Sequence, residues 1–486
     1  MTKLLPFALC FAAIAAQAGT ARFNIVDEGH KQTPARVHLR DSAGKPIRAP
    51  KLPFWRDHFV CDGHAEIELA PGNYSYEIER GPEFTSASGG FGLGDSGDAN
   101  ITVTLKRLTD LAQEGWWSGE THVHRPIEDV PLLMQAEDLH LAHVITWWNE
   151  TNPWKDKATN ALTRFDGDRF FHALAGEDER GGGALLYLNL ASPLEITGAK
   201  YEFPSSLKFL KEARTKPGAY VDIEKPFWWD TPLWLASGMV DTVGIAHNHM
   251  QRGGVLANEA WGRPRDTVKY PNPQGNGRYT QDIYYHILNC GLRVAPSAGS
   301  ASGVLPNPVG YNRVYVQCGK ELTWAKWHEG LRAGRSFVSN GPLLRCRANG
   351  EFPGHVFHAS KPVEIRFDVK LDSRDRIADL ELVQNGRVER LDRNKPITVS
   401  ESGWFLVRAI ADVTNTFRFA STAPWYVEIG ERPQSVSRES AQFFVEWCRE
   451  RMAMLEKAPN LTNEQRNEVL APWREAENFW RNKASP

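Results

Sequence analysis

The spacing of apolar residues changes along the chain, and each change limits the folds that the next segment can adopt. From about residue 20 to residue 110, short runs such as 65–69 and 101–105 alternate apolar and polar side chains. Turn residues, for example Pro71-Gly72-Asn73, separate these runs. Period-two alternation between such turns is typical of antiparallel strands with one buried face. We therefore expect an antiparallel β-sandwich over residues 19–112, without a catalytic cluster.

Between about residues 115 and 320, short apolar runs alternate with helical patterns. Residues 131–143 begin with a proline and carry apolar side chains at helical spacing, which predicts a helix. Strands are predicted over residues 143–148, 185–190 and 240–247. Repeated β-α units predict a parallel α/β core with its site at the carboxyl ends of the strands. Residues 253–279, rich in Gly, Pro, Asn and Arg, are predicted to form a loop over that end.

The pattern returns to strands after a predicted helix at residues 324–333. The turn pair Asn385-Gly386 predicts a hairpin within a second β-sandwich. In the tail, helices are predicted over residues 437–457 and from Thr462 onward, with Pro472 expected to kink or split the second. The expected organisation is a signal peptide over residues 1–18, a β-sandwich over 19–112, an α/β core over 113–320, a second β-sandwich over 321–432 and a helical tail over 433–486. The tail is expected to pack on the body.

The amino terminus predicts export. Lys3 is followed by an apolar run over residues 4–16 and by the small-residue site Ala16-Gln17-Ala18, a pattern typical of a cleaved secretory signal. We expect a secreted or periplasmic protein whose mature chain begins near Gly19. The remaining five cysteines are odd in number and form no C-x-x-C pair, which indicates neither a disulfide scaffold nor a Cys-ligated zinc site. One disulfide is possible, with partners that the sequence does not choose.

The overall composition excludes two classes of partner. A formal net charge of -2 over 486 residues provides no basic excess for nucleic acid. No apolar run is long enough for a membrane span. The expected ligand is therefore a small molecule or a carbohydrate-like substrate.

Two pairs of histidines are the candidate metal ligands. His122 and His124 lie two residues apart in a predicted strand, with Glu120 alongside, so the three side chains share one face. Imidazole and carboxylate together suit Zn, Fe, Mn or Ni, although a solvated strand face would show the same pattern. A second pair, His247 and His249, ends another predicted strand, and His249 is the stronger candidate of the two.

The first pair resembles the D-x-H-x-H metal motif of the PHP (polymerase and histidinol phosphatase) superfamily, and more closely that of CehA/McbA-type metallohydrolases. The acidic stretches 135–139 and 175–179 and the segment 331–342 are also similar to that family. The resemblance, which covers roughly residues 115–345, implies a distorted (β/α)7 barrel with Glu177 as a ligand. The chain departs from the superfamily where T-D-H becomes Thr146-Trp147-Trp148 and where G-S-D-x-H becomes 299–303. These losses leave His122, His124, Glu177 and His249 to hold one ion of Zn, Mn or Fe.

Several further side chains are predicted to contact the substrate. Lys225 and Arg252 are assigned to catalysis. Both are candidates to bind an anionic substrate group, and Lys225 is alternatively a general acid. Arg125 is assigned to an anionic substrate group, and Trp148 and Trp229 to stacking on a sugar or aryl group, although simple packing explains tryptophans equally well.

Two functions are compatible with these features. The first is an exported hydrolase in which a metal-activated water cleaves an ester, amide, carbamate or phosphoester bond. The second is a non-catalytic protein that binds carbohydrate on a decayed barrel. Metal content is the property that separates them.

Overall fold

The computed structural model describes residues 19–94, 97–155, 161–430 and 436–485, so the expected signal peptide lies outside the described residues. The described chain is mixed α/β and rich in strands, as the sequence predicts. Residue contacts divide it into two compact units. Of the described residues, the first unit takes 19–79 and 86–106, and the second takes 80–85 and the chain from 107 onward.

The first unit contains two sheets. Its strands are β1 Gly19–Val26, β2 Ala35–Asp41, β3 Phe54–Trp55, β4 His58–Cys61, β5 His64–Leu69, β6 Gly72–Glu79, β7 Ala87–Leu93 and β8 Ala99–Thr104. In β5 the predicted alternation holds, since Ala65, Ile67 and Leu69 are buried between exposed polar residues. One sheet, β3-β4-β2-β6-β7, is antiparallel. The other, β5-β1-β8, departs from the antiparallel prediction because β1 and β8 pair in parallel. They are remote in sequence, so no hairpin dictates their direction.

The second unit begins with the strands of the predicted α/β core. They are β9 Trp116–Val123, β10 Leu141–Trp148, β11 Leu162–Phe165, β12 Arg169–Arg180, β13 Gly183–Leu188, β14 Tyr220–Ile223, β15 Thr242–Ala246, β16 Met250–Gln251, β17 Gly254–Val255 and β18 Ala295–Ala298. The helices among them are α1 Val130–Ala136, α2 Ser206–Arg214, α3 Thr231–Ala236 and α4 Gly275–Asn289. Strands β9, β10 and β12 pair in parallel, as do β14, β15 and β18.

The prediction of a fully parallel core is wrong at β13, which is antiparallel to both β12 and β14. Only Gly181 and Gly182 separate β12 from β13. A connection of that length joins antiparallel neighbours, because a parallel pair needs a crossover of a dozen or more residues.

The segment after β18 runs alongside β9. The amide of Ala301 donates to the carbonyl oxygen of His122 over 2.8 Å, and the amide of His124 donates to that of Ser302 over 2.7 Å. The end of β9 therefore lies beside the end of β18, which brings His122 in β9 and His124 just after it to the carboxyl ends of the neighbouring strands.

Two predicted boundaries in this region are wrong. The helix predicted over residues 131–143 ends at Ala136, and Asp138, with a positive φ of 49°, turns the chain into β10. His143, at which the predicted helix and the predicted strand 143–148 overlapped, belongs to the strand. The predicted loop 253–279 contains β17 and gives way to α4 at Gly275. In the first case the turn at Asp138 interrupted a pattern that apolar spacing alone does not resolve.

The chain then returns to strands, as predicted. They are β19 Arg313–Gln317, β20 Ser336–Ser339, β21 Leu343–Ala348, β22 Val356–Ala359, β23 Val363–Ile365, β24 Phe367–Asp372, β25 Ile377–Gln384, β26 Arg387–Arg390, β27 Ile397–Val399, β28 Gly403–Ala411, β29 Phe419–Thr422 and β30 Trp425–Ile429, with α5 Trp324–Arg332 between β19 and β20. The main sheet continues from β9 through β19, β20, β29, β28, β25 and β26. The predicted hairpin is confirmed, since Asn385 and Gly386 both have positive φ between β25 and β26.

Two helices, α6 Arg438–Glu456 and α7 Asn463–Ala484, form the tail and pack back on the second unit as expected. Arg451 Nε lies 2.9 Å from Asp230 Oδ1, and Trp480 Nε1 donates to the carbonyl oxygen of Pro232 over 3.1 Å. Both contacts hold α3 and the residue before it. Pro472, expected to kink or split this helix, lies inside α7 without dividing it, so the split does not occur.

Asp138 is the centre of a buried ion-pair network in the second unit. Its carboxylate lies 2.7 Å from Arg169 Nη2, 2.9 Å from Arg107 Nη2 and 3.5 Å from Arg80 Nη2. Burial raises the pKa of Asp138, but the three guanidinium groups outweigh burial and hold that pKa well below its ordinary value. Arg80 and Arg107 lie in two stretches of the second unit that come just before and just after residues 86–106 of the first unit in the sequence. The network joins these two stretches to Asp138, in the turn between α1 and β10.

The described residues also bear on the expectations for disulfides and for membrane spans. Cys61, Cys290, Cys318, Cys346 and Cys448 are all free thiols, so the one disulfide that the sequence allowed is not formed. Within the described ranges, no helix combines the length and the apolarity needed to cross a membrane.

Limited proteolysis should cut first between β17 and α4, near Val268. This side chain is 90% exposed, and a protease needs such accessible, locally yielding backbone. Elastase digestion followed by mass spectrometry of the first fragments should locate the cut there, and Val268→Asp should slow it. An earliest cut inside β13 or β15 would contradict the structure.

Candidate metal centre

The ligand atoms of His122, His124 and Glu177 lie within 4.8 Å of one another. His122 is in β9, His124 follows the end of that strand, and Glu177 is in β12. Because residues two apart in an extended chain share a face, both imidazoles point toward Glu177. The sequence prediction that these three residues come together is thus supported by their placement.

The geometry of this group suits a metal ion. The Nε2 atoms of His122 and His124 are 2.9 Å apart. Glu177 Oε2 lies 3.4 Å from His122 Nε2 and 3.2 Å from His124 Nε2. Bonds of ~2.0–2.2 Å to one tetrahedral ion leave neighbouring ligand atoms roughly 3.3–3.6 Å apart, close to the distances found here. The three residues therefore fit a single transition-metal ion, with donors that zinc, manganese and iron all accept.

Glu224 orients His122 from the other side of the ring. Its Oε1 atom lies 3.3 Å from His122 Nδ1, so that Nδ1 would keep its proton and Nε2 would offer its lone pair once an ion displaces the second proton. Asn248 Nδ2 and Trp228 Nε1 each donate to the Glu224 carboxylate over 2.9 Å, and the Lys225 ammonium pairs with it. These donors fix the carboxylate in place. Sequence analysis assigned Lys225 but not Glu224, and the one signal for Glu224 was its position just after β14.

Charge in this pocket favours a cation. Burial lowers the pKa of His122, but the carboxylates of Glu177 and Glu224 outweigh burial and raise that pKa to about 10. Burial raises the pKa of Glu177, but the two imidazoles outweigh it and lower that pKa to about 2. Two buried carboxylates around one imidazole therefore stabilise positive charge at this position.

Glu120, His247 and His249 are held by other contacts. The Glu120 carboxylate accepts from the amides of Ser300 and Gly310. His247 Nε2 lies 2.8 Å from the hydroxyl of Thr280. The ring of His249 packs on Phe227, with ring centres 5.4 Å apart, and Asn276 Nδ2 lies 3.5 Å from its Nδ1. The structure does not bring these three predicted ligands into the group of His122.

The predicted substrate residues occupy different surroundings. Arg125 is buried and lies 3.7 Å from Asp129. The amide of Arg252 donates to Asn307 Oδ1 over 3.3 Å, and Trp229 packs half-buried against the core. Lys225 is buried with its ammonium 4.6 Å from the Trp228 ring centre.

Trp148 is the predicted aromatic closest to the candidate ligands. Its ring centre lies 5.0 Å from that of His124, and its Nε1 donates to Glu179 Oε2 over 3.1 Å. Burial, followed by the charges of Glu177 and Glu224, raises the pKa of Glu179 to about 8. Glu179 is thus a third acidic group near the ligands, and sequence analysis gave it no role.

A second set of possible ligands, His38, Asp57 and His58, lies in the first unit. The Asp57 carboxylate is 3.1 Å from His38 Nδ1, 3.0 Å from His58 Nδ1 and 3.0 Å from Arg40 Nη2. Two neutral imidazoles that donate to one carboxylate satisfy these contacts, and the guanidinium group already balances the charge. This set is less suited to a cation than the group around His122.

Comparisons with known proteins add little to this description. No family model matches the chain, and no curated protein matches it. A solved structure described as "The Bacillus anthracis TIE protein" is 17% identical over 23% of this chain and 20% of that one, with a TM-score of 0.16. The chain thus spans a small part of that protein's length, and so slight a likeness carries no conclusion about fold or function.

Proposed function

We propose that this protein is a metal-dependent hydrolase of the CehA/McbA type on a PHP-like barrel, with a metal site reduced to one ion. The observation that carries the proposal is the buried triangle of His122 Nε2, His124 Nε2 and Glu177 Oε2. The parallel strands β9, β10 and β12, and the hydrogen bonds that bring the segment after β18 to β9, support a barrel.

Each residue of the site has a defined task in this proposal. His122, His124 and Glu177 hold the ion, and Glu224 keeps the proton of His122 on Nδ1. The ion, when bound, polarises a carbonyl or phosphoryl oxygen and makes water more acidic. Trp148, beside His124, offers an apolar surface to the substrate. The buried Lys225 balances the charge of Glu224 and is positioned to hold that carboxylate rather than to move toward a substrate.

The substrate class in this proposal is a small molecule or carbohydrate-like ester, amide, carbamate or phosphoester. Export through the signal peptide over residues 1–18 belongs to the same proposal. The alternative is a carbohydrate-binding protein without catalysis. Only the number of tryptophans favours it, because it gives no role to the three candidate ligands His122, His124 and Glu177.

Metal content and hydrolysis together test the proposal. Protein produced with Zn, Mn and Fe supplied should carry at least one ion per chain by elemental mass spectrometry. It should cleave at least one chromogenic ester, carbamate or phosphoester, and removal of the ion by a chelator should abolish that cleavage. Protein that binds sugars but carries much less than one ion at the His122 site would establish the alternative instead.

A further inference from the structure

Glu179 lies beside the candidate metal centre without an ionic partner. It comes two residues after Glu177 in β12, so the two side chains leave the same face of the strand. The Glu179 carboxylate is partly exposed and accepts a hydrogen bond from Trp148 Nε1 over 3.1 Å. Among the described residues, no basic side chain forms an ion pair with it. A carboxylate in this position can receive a group of the substrate.

Two basic residues close to Glu179 are committed to other acids. Arg180, the next residue, donates to both oxygens of Asp178, over 2.6 Å and 2.8 Å. The Lys225 ammonium, whose charge acts on Glu179, pairs with Glu224. Both cations are already neutralised, so neither is left to hold a negatively charged substrate group.

The charges of the centre leave no positive excess for an anionic substrate. Glu179 interacts with the carboxylates of Glu177 and Glu224, and together they make three acidic groups. The Lys225 ammonium and one divalent ion, when it is bound, only offset these three charges. A phosphate or carboxylate group of a substrate would therefore be repelled at Glu179, whereas a cation would be attracted.

The indole of Trp148 lies next to this carboxylate and is held firmly. Its ring centre is 5.0 Å from that of His124, and its Nε1–H donates to Glu179. Trp148 and Thr151 exchange backbone hydrogen bonds of 2.9 Å and 2.8 Å. The Asn149 side chain accepts from the amide of Glu179 over 3.0 Å, which ties this turn to β12. A group bound by both the indole and the carboxylate would lie beside the metal centre.

An aromatic ring beside a carboxylate is suited to a substituted ammonium group. The electrons of the ring face attract the cation, and indole is the best of the aromatic side chains in this respect. The carboxylate supplies the opposite full charge. A sugar hydroxyl also donates to a carboxylate, but an ammonium group draws on the ring and on the charge together.

We propose that Trp148 and Glu179 bind an ammonium group of the substrate, so that the protein hydrolyses cationic esters, amides or carbamates in preference to neutral and anionic ones. This inference rests on the proposed function and deepens it by naming the substrate class. Glu179 determines specificity in it and takes no part in cleaving the bond.

Choline and its uncharged isostere, in which carbon replaces the nitrogen, test the ammonium site without hydrolysis. Titration calorimetry of the metal-loaded full chain should give choline an affinity at least ~10-fold higher than that of the isostere. The measurement is made at about pH 9 so that the carboxyl is ionised, since burial and the neighbouring acids raise the pKa of Glu179 to about 8. Glu179→Gln keeps the shape of the side chain without its charge and should reduce the preference to less than ~3-fold. Glu150→Gln, which removes an exposed acid from the same turn, is the matched control and should keep the preference.

Nitrophenyl esters of equal length, ending in trimethylammonium, tert-butyl or carboxylate, measure the same preference in hydrolysis. In wild type, kcat/KM for the cationic ester should exceed that for the neutral ester by at least ~10-fold and that for the anionic ester by more. Glu179→Gln should remove this difference and leave kcat/KM for the neutral ester within ~3-fold of wild type. Structural damage alone would instead lower kcat/KM for all three esters together.

Wild type by itself decides the inference in case the variants fail to fold. Equal affinities of wild type for choline and the isostere would overturn it, and chelator-sensitive cleavage of the neutral ester would then leave the proposed hydrolase intact. Preferential binding of choline without cleavage of any ester would support the ammonium site and overturn the hydrolase. A preference for choline that persists in folded Glu179→Gln would place the cation elsewhere and also overturn the inference.

Discussion

His122→Ala should reduce metal affinity at the candidate centre by at least ~10–100-fold and abolish any hydrolysis that the protein performs. His122 is the residue on which the site depends most, because it is in contact with His124, Glu177 and Glu224 at once. The substitution removes one ligand and leaves the two carboxylates facing each other without the imidazole between them. Affinity should be measured by competition with a chelator, and hydrolysis with the substrate found for wild type.

The matched control is His358→Ala, since His358 is an exposed histidine of the same unit that pairs with Glu428 at 3.0 Å. It should retain wild-type affinity and activity. If His122→Ala keeps full metal content while its far-ultraviolet circular dichroism is unchanged, the ion is bound elsewhere and the assignment of this centre fails.

Asp138→Asn should lower the free energy of unfolding at pH 7 by about 3–5 kcal/mol, because it leaves three arginines around a buried neutral amide. It should also flatten the acid side of the stability curve. The folded-state pKa of Asp138 lies below the value of ~3.9 in unfolded chains. Its stabilisation is therefore present above about pH 4 and is lost as the pH falls toward the folded-state pKa.

Urea unfolding at pH 7, 5 and 3 measures both effects. Asp166→Asn is the control, since Asp166 pairs with the same Arg169 at 3.1 Å but its side chain is 48% exposed. It should change the unfolding free energy by less than ~1 kcal/mol. Equal losses in the two variants would show that the buried network contributes no more than a surface pair.

Local patterns in the sequence predicted the elements whose cause is local. The alternation of β5, the hairpin at Asn385 and the helix of α5 follow from residues within one or two turns of each other. The candidate pair His122 and His124 was predictable in the same way, because strand geometry alone puts them on one face. The helix predicted from the spacing of residues 131–143 was too long, because a single residue, Asp138, turns the chain there.

The remainder of the site depends on which strands become neighbours in the sheet. The spacing of residues along the sequence does not show which strands these are. Glu224 comes against His122 because the segment after β14 lies near the end of β9, about a hundred residues earlier in the chain. His249 resembles a ligand in sequence, but its ring is packed on Phe227. The antiparallel direction of β13 was nevertheless readable, since Gly181-Gly182-Gly183 is too short for any crossover.

The packing of α7 on α3 sets an order of events during synthesis on the ribosome. Asp230 and Pro232, which follow the segment carrying Glu224, contact Arg451 in α6 and Trp480 in α7. The nascent chain therefore exposes this part of the second unit until α6 and α7 have left the exit tunnel. A premature stop in α6 would leave every proposed ligand in the sequence and still remove the support beside Glu224.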